Sequence, residues 1–249
     1  MPLPKKIWKI SRYDKGVGNF NTEGMFWWTQ NLDLEATPPY LRVAAKLIKE
    51  VDSATLLTLA DIFWGVNFNS ATYVTNMLDG KTFTNLSGSW VEVHDNVNAW
   101  GGLGLFGDED FLYFASNGWA GRYDKTTWTD SWQSFATSNV AELCPITKFL
   151  KFICFGNQQY LATWDTAASA WNATRITLPA GFRIKWLKPL TDFLVISAHH
   201  NAFGSALFFW DGISGTYNRV LQLPNVRSLA GVVDKNVLYV ITGDGWINL

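Results

Sequence analysis

The sequence predicts an all-β fold, a β-propeller built of four-stranded antiparallel blades, on three observations. Aromatic residues make up 16% of the 249-residue chain, with 14 Trp among them, and large flat side chains favour pleated sheets. Short apolar runs alternate with turn residues, which is typical of successive strands. An aspartate that closes an apolar run recurs at intervals of 45, 41 and 46 residues, and this period is the length of a propeller blade.

The recurring aspartates define the repeat. Each follows an apolar segment and is followed within four to six residues by an aromatic residue; they are Asp79, Asp124, Asp165 and Asp211. An aspartate side chain accepts hydrogen bonds from backbone N–H groups two residues ahead and so closes a turn. We therefore expect the four carboxylates to be equivalent structural turn residues of successive blades, with no catalytic role.

Strands are predicted on both sides of each aspartate. Short apolar runs lie upstream, at residues 111–114, 150–155, 193–196 and 237–241. Polar or glycine residues follow each run, which suits a tight hairpin leading into the aspartate-terminated strand. A third strand follows the aspartate, and a further strand must begin the next unit. Four strands in a repeat of this length form one blade.

The repeat also sets the domain organisation. It starts near Val51, so residues 1–50 are predicted to form an N-terminal arm and residues 51–249 the propeller. About five repeats are visible, and the last is incomplete because residues 246–249 fall inside its aspartate-terminated strand. Either a strand at residues 7–10 closes the ring, or the chain is part of a longer protein.

Composition excludes several classes of partner. The chain has 20 basic and 21 acidic residues, so it carries no excess charge to neutralise a nucleic-acid backbone. The first residues contain no apolar run long enough for a secretion signal. Other apolar runs are far shorter than the roughly 20 residues of a membrane-spanning helix. Cys144 and Cys154 lie in or beside apolar segments and are predicted to be reduced, buried thiols.

A glycine motif is the first candidate for chemistry. Gly102, Gly104 and Gly107 match the G-x-G-x-x-G pattern of dinucleotide-binding folds. That pattern requires a helix to follow, whereas an acidic turn at residues 108–110 and a strand follow here, so a glycine-rich turn between blades is predicted. The acidic turn could supply paired carboxylates for sugar hydrolysis, but a solvated turn is the favoured interpretation.

The histidines and potential nucleophiles do not match the sequence pattern of a metal site or a catalytic site. His94, His199 and His200 are the only histidines, and no cysteine or carboxylate stands at the spacing of a zinc site. No G-x-S-x-G nucleophile elbow occurs. The sequence therefore predicts no catalytic residue, no metal and no cofactor, and the protein is not expected to be an enzyme.

Three consecutive aromatic residues, Phe26, Trp27 and Trp28, lie in the predicted arm. In an extended segment they cannot all face one core, because alternate side chains point in opposite directions. Large exposed apolar patches usually mark interfaces. We predict that these residues bind a protein partner; burial against the chain's own propeller is the alternative.

The segment 208–212, with Thr216, Tyr217 and Asn218 after it, resembles repeats in propeller-like virion proteins of tailed bacteriophages. The glycine and asparagine residues after Asp14 resemble the leader that precedes the propeller in such neck or tail components. The resemblance implies a structural or adhesive part of a virus particle assembled in the host cytoplasm, with no catalytic residues. WD-repeat scaffolds share the Trp-Asp ending, but their Gly-His dipeptide is missing here.

Two classes of function follow. The first is a structural or assembly protein of a phage particle, which contacts other virion proteins or further copies of itself. The second is a lectin-like module in which aromatic residues of each blade stack on a glycan. A glycoside hydrolase comes third, since a fold does not imply a function.

Overall fold

The computed structural model describes two short strands, at residues 32–33 and 42–43, and residues 62–248 apart from 78, 86–89, 139–141, 224–226, 235 and 243–244. The chain divides into two units, Met1–Asp52 and Ser53–Leu249. In the first unit, β1 (Leu32–Asp33) pairs antiparallel with β2 (Arg42–Val43). The aromatic residues Phe26, Trp27 and Trp28 and the predicted ring-closing strand at residues 7–10 lie outside the described residues.

The second unit consists of antiparallel sheets whose strands follow chain order. Blade 1 contains β3 (Ile62–Phe68), β4 (Ala71–Asn76), β5 (Lys81–Thr84) and β6 (Val91–Asp95). Blade 2 contains β7 (Gly104–Gly107), β8 (Leu112–Ser116), β9 (Trp119–Tyr123) and β10 (Trp128–Ser134). Blade 3 contains β11 (Ile146–Phe149), β12 (Phe152–Asn157), β13 (Tyr160–Asp165) and β14 (Ala170–Thr177).

The last two sheets continue the same pattern. Blade 4 contains β15 (Arg183–Leu190), β16 (Phe193–His200), β17 (Gly204–Trp210) and β18 (Arg219–Gln222). Blade 5 contains, in its described part, β19 (Ser228–Asp234), β20 (Val237–Thr242) and β21 (Gly245–Asn248). The first strand of each blade contacts the first strand of the next, from β3 through β7, β11 and β15 to β19. First strands are therefore innermost, and the predicted β-propeller is confirmed.

The core lies between the blades. Every residue of β8 and β12 is buried, whereas exposed and less exposed residues alternate along the outermost strand β14. A second strand is covered on both faces by neighbouring blades, which explains why these strands appear in the sequence as continuous apolar runs. The largest fully buried side chains include Trp210, Tyr113, Phe155 and Phe208, and burial of one aromatic side chain contributes about 1.5–3 kcal/mol.

The blades have two different ends. At the hairpin end, tight turns join the second strand to the third, and Gly118 and Gln158 adopt positive φ there, at 79° and 52°. At the aspartate end, turns join the first strand to the second and the third to the fourth. The aspartate end contains Asp124, Asp165 and Asp211. Each first strand runs from the hairpin end to the aspartate end.

The predicted equivalence of the four aspartates is wrong for Asp79. Asp124, Asp165 and Asp211 follow the third strands of their blades, but Asp79 lies between β4 and β5, the second and third strands of blade 1. It is therefore at the hairpin end. The position that corresponds to Asp211 falls after β5. The loops of blade 1 differ in length from those of the later blades. As a result, Asp79 matches the spacing of the repeat although it lies in the turn between the second and third strands.

The glycine motif serves the packing of adjacent blades. A Cβ atom on Gly102 would lie 2.0 Å from the carbonyl oxygen of Asn76 in blade 1, and one on Gly104 would lie 2.0 Å from that of Cys144, next to blade 3. The strand β8 follows, not a helix. The motif therefore allows close backbone contact between blades. Cys144 and Cys154 are buried free thiols, as predicted, and burial raises the pKa of both.

Candidate functional site

Three of the predicted turn aspartates are engaged in their own turns. The carboxylates of Asp124, Asp165 and Asp211 each accept hydrogen bonds of 2.7–3.0 Å from the backbone N–H groups two and three residues ahead. The pKa of each carboxyl is lowered. The main cause of the lowered pKa differs between the three turns. It is a hydrogen bond from the Thr126 hydroxyl at Asp124, from the Lys151 ammonium at Asp165, and from the backbone N–H of Ser214 at Asp211.

The acidic segment 108–110 also forms a turn, between β7 and β8. Asp108 Oδ1 accepts hydrogen bonds of 3.0 Å from the backbone N–H groups of Asp110 and Phe111. Its other oxygen lies 3.5 Å from the ammonium of Lys148. Glu109 and Asp110 are exposed. The structure therefore shows Asp108 closing a turn and pairing with a lysine of blade 3.

His94 joins blades 1 and 2. Its ring stacks on Trp128 with centroids 4.2 Å apart and an interplanar angle of 3°. Its Nε2 lies 2.6 Å from Asp130 Oδ1. The ring of Tyr123 stacks on Trp128 at 4.3 Å. His94 belongs to β6 of blade 1, whereas His199 and His200 lie at the end of β16 in blade 4.

Two adjoining cavities, of about 320 and 360 Å³, lie at the hairpin end where blades 3, 4 and 5 meet. Both are lined by Lys185, His199 and Asn201. We call this region the cationic cleft, and its charged residues are Glu142, Arg183, Lys185 and Arg227. The segment before β11, the inner strand β15 and the segment before β19 each contribute to it.

A β-bulge places Lys185 in the cleft. Ile184 pairs with Ala198 and Trp186 pairs with Ser197, so Lys185 is an extra residue in β15. Ile184 and Trp186 are buried in the core. The strand β19 has the same irregularity around Leu229, which also lines the cleft and is 61% exposed. Bulges redirect side chains and occur often beside functional sites.

The cleft has more positive than negative charge. Arg183 lies 3.6 Å from the carboxylate of Glu142. Among the described residues, no carboxylate lies within ion-pair distance of Lys185 or Arg227. Three cations against one carboxylate leave a net charge of +2.

His199 lies within this positive field. Its Nδ1 is 3.2 Å from the hydroxyl of Ser205, which accepts a hydrogen bond from the backbone N–H of Ser228. The pKa of His199 is lowered, first by burial and then by Arg227 and Lys185. The imidazole is therefore neutral at neutral pH and contributes polar atoms to the cleft. No sequence signal identified this site, because its residues come from three blades.

Comparison with solved structures supports the fold alone. A computationally designed protein, Ika8, has a TM-score of 0.58 and 11% identity; the match covers 76% of this chain and 57% of that one. The hydrazine synthase of Kuenenia stuttgartiensis has a TM-score of 0.58 and 12% identity, with 77% and 62% covered. A chain of the mitotic checkpoint complex has a TM-score of 0.53 and 11% identity, with 75% and 62% covered. This chain thus spans less than two thirds of each.

No protein-family model and no curated protein sequence matches the chain. Over the described ranges, the structure contains no helix with the length and apolar character needed to cross a membrane. Within those same ranges, no group of three or more His, Cys, Asp or Glu side chains is arranged to hold a metal ion.

Proposed function

We propose that the chain is a non-enzymatic assembly protein whose propeller binds an acidic segment of a partner protein in the cationic cleft. The observation that carries this proposal is the pair of cations, Lys185 and Arg227, which have no carboxylate partner among the described residues. They line a cavity at the junction of three blades. The partner supplies the missing carboxylates.

Lys185 is half-buried and Arg227 is exposed, so solvent partly screens their attraction for a carboxylate. An ion pair at such a site contributes about 0.2–1 kcal/mol, and a segment with several carboxylates adds several such contributions. Leu143 and Leu229 line the same cavity, so the best ligand places an apolar side chain beside its carboxylate. A protein segment that alternates acidic and apolar residues meets both requirements.

A particle component of a tailed phage is the setting that we propose for this interaction. The similarity of the segment around Asp211 to repeats of virion propellers supports it. Partners in that setting are other virion proteins or a second copy of this chain. Assembly then takes place in the host cytoplasm.

The experiment uses a fluorescein-labelled peptide of alternating Glu and Leu residues and measures fluorescence anisotropy. We expect the variant Lys185→Glu to weaken binding by about tenfold or more, equivalent to about 1.4 kcal/mol. We expect binding to weaken as salt is added. The control is Lys188→Glu, which makes the same charge change near the aspartate end of β15. Equal affinities of the wild type and both variants would contradict the proposal.

A further inference from the structure

The inner strands of blades 4 and 5 carry opposite charges at their two ends. Lys185 lies near the start of β15 at the hairpin end, and Asp192 follows β15 in the turn at the aspartate end. Strand β19 repeats this arrangement, with Arg227 immediately before it and Asp234 as its last residue. In both strands the carboxylate stands seven residues after the cation, which is roughly 20 Å along an extended chain.

These two carboxylates differ from the turn aspartates. Asp124, Asp165 and Asp211 accept hydrogen bonds from their own turns. Among the described residues, the carboxylates of Asp192 and Asp234 have no hydrogen-bond donor and no cation within ion-pair distance. Both residues are exposed. Their charges are therefore available to a partner.

A hydrogen bond fixes the two acidic turns relative to each other. The hydroxyl of Thr191, which precedes Asp192, donates to the side-chain oxygen of Asn236, two residues after Asp234. We call these two turns the acidic tip. The strands β15 and β19 are in contact. Because the same two neighbouring strands carry both cations and both carboxylates, their spacing sets the separation of each pair of like charges.

We propose that the partner in the cationic cleft is a second copy of this chain, which inserts its acidic tip between Lys185 and Arg227. This inference rests on the proposed function, because it names the ligand of the same cleft. The cleft and the tip lie at opposite ends of β15 and β19. Translation of one copy along these strands therefore brings Asp192 toward Lys185 and Asp234 toward Arg227 of the next copy. The tip supplies two negative charges to a cleft with a net charge of +2.

The contact joins two different surfaces of the molecule. Each contact leaves a free cleft on one copy and a free tip on the other. Such a heterologous contact produces an open head-to-tail row of copies unless rotation closes it into a ring. The row lengthens as the protein concentration rises. It shortens as salt is added, because salt screens ion pairs that are in contact with solvent.

Sedimentation velocity of the whole chain measures this association. At low salt we expect the weight-average mass to rise above the monomer mass of 28.0 kDa with concentration. Asp192→Asn/Asp234→Asn should raise the dissociation constant by about tenfold, equivalent to about 1.4 kcal/mol. The control, Glu109→Gln/Asp110→Asn, removes two exposed charges of the blade 2 turn at the same end and should associate as the wild type does. A wild type that stays monomeric up to about 1 mM, or equal weakening by the two double variants, would overturn the proposal.

A mixture of two variants tests the head-to-tail geometry. Lys185→Gln/Arg227→Gln keeps the acidic tip and loses the charged cleft, whereas Asp192→Asn/Asp234→Asn keeps the cleft and loses the tip. Each should associate weakly alone. Their mixture should form a one-to-one complex of twice the monomer mass, because one intact cleft meets one intact tip. Circular dichroism checks that both variants are folded, and a mixture of folded variants that associates no better than either alone contradicts the geometry.

The labelled peptide of Glu and Leu residues separates this inference from the proposed function. The peptide needs only the cleft, so Asp192→Asn/Asp234→Asn should bind it with wild-type affinity and Lys185→Gln/Arg227→Gln about tenfold more weakly. If the peptide binds in this pattern while the wild type stays monomeric, a second copy is not the partner and the proposed function stands. If the cleft variant binds the peptide and associates as the wild type does, both proposals are wrong.

Discussion

The two ends of the blades use their charged side chains differently. At the aspartate end, Asp124, Asp165 and Asp211 accept hydrogen bonds from their own turns, and Asp108 pairs with Lys148 of the next blade. At the hairpin end, the cations of the cleft outnumber the carboxylates. Charge thus stabilises the fold in those turns and is available to a partner in the cleft.

The largest effect that we predict concerns backbone spacing at the hairpin end. Gly104→Ala places a methyl group 2.0 Å from the carbonyl oxygen of Cys144. Blades 2 and 3 must move apart, so we expect a loss of about 3 kcal/mol in the free energy of unfolding, measured by urea denaturation. Gly215→Ala, in the Asp211 turn at the aspartate end, meets no atom within 4 Å.

The Gly215→Ala control should change the free energy of unfolding by no more than about 0.5 kcal/mol. If Gly104→Ala were equally neutral, the close approach of the two blades at Gly104 would be wrong. A change confined to the slope of the urea transition would point instead to an altered unfolded state.

A smaller effect is expected at the aspartate turns. Asp211 accepts hydrogen bonds from Ile213, Ser214 and Asn218, whereas Asp79 is exposed and lies in a different turn. We expect Asp211→Asn to lower Tm by several degrees and Asp79→Asn to leave it almost unchanged. Equal shifts in Tm for the two variants would contradict the distinction between the two turns.

The pH dependence of Asp211→Asn follows from the lowered pKa of Asp211 in the folded protein. The ionised carboxylate stabilises the fold fully above the ordinary aspartate pKa of about 3.9. This stabilisation is lost as the pH falls through the lower folded-state pKa. We therefore expect the difference in Tm between the wild type and the variant to shrink below about pH 4, as measured by thermal melts at several pH values.

The sequence was sufficient to predict the blades because their determinants are local. A strand buried on both faces needs a continuous apolar run, and the predicted runs at residues 193–196 and 237–241 lie within β16 and β20. Asp79 was assigned to the wrong turn for the opposite reason. Spacing alone cannot distinguish two turns of one blade when the loops of that blade differ in length.

The cationic cleft could not be predicted from the sequence. Lys185 and Arg227 are 42 residues apart, and no motif in either segment connects them. Only the packing of blades 4 and 5 and the bulge in β15 bring them to one cavity. A cavity at the aspartate end likewise combines residues of two blades, Lys151 and Asp165 of blade 3 with Ile213 of blade 4. Sites between blades have no local motif.

The smallest effect predicted here concerns the positive field at the hairpin end. The pKa of His199 is lowered by burial and, to a lesser extent, by Arg227 and Lys185. Removing both cations in Lys185→Ala/Arg227→Ala should raise this pKa toward the ordinary histidine value, because the imidazolium then meets less repulsion. An NMR titration of the imidazole signals measures it. The control, Lys148→Ala/Lys151→Ala, removes the same charge at the aspartate end and should leave the pKa of His199 unchanged. If the pKa of His199 responds equally to both double variants, the two ends do not differ in their electrostatic field. If the pKa responds to neither, burial alone lowers it.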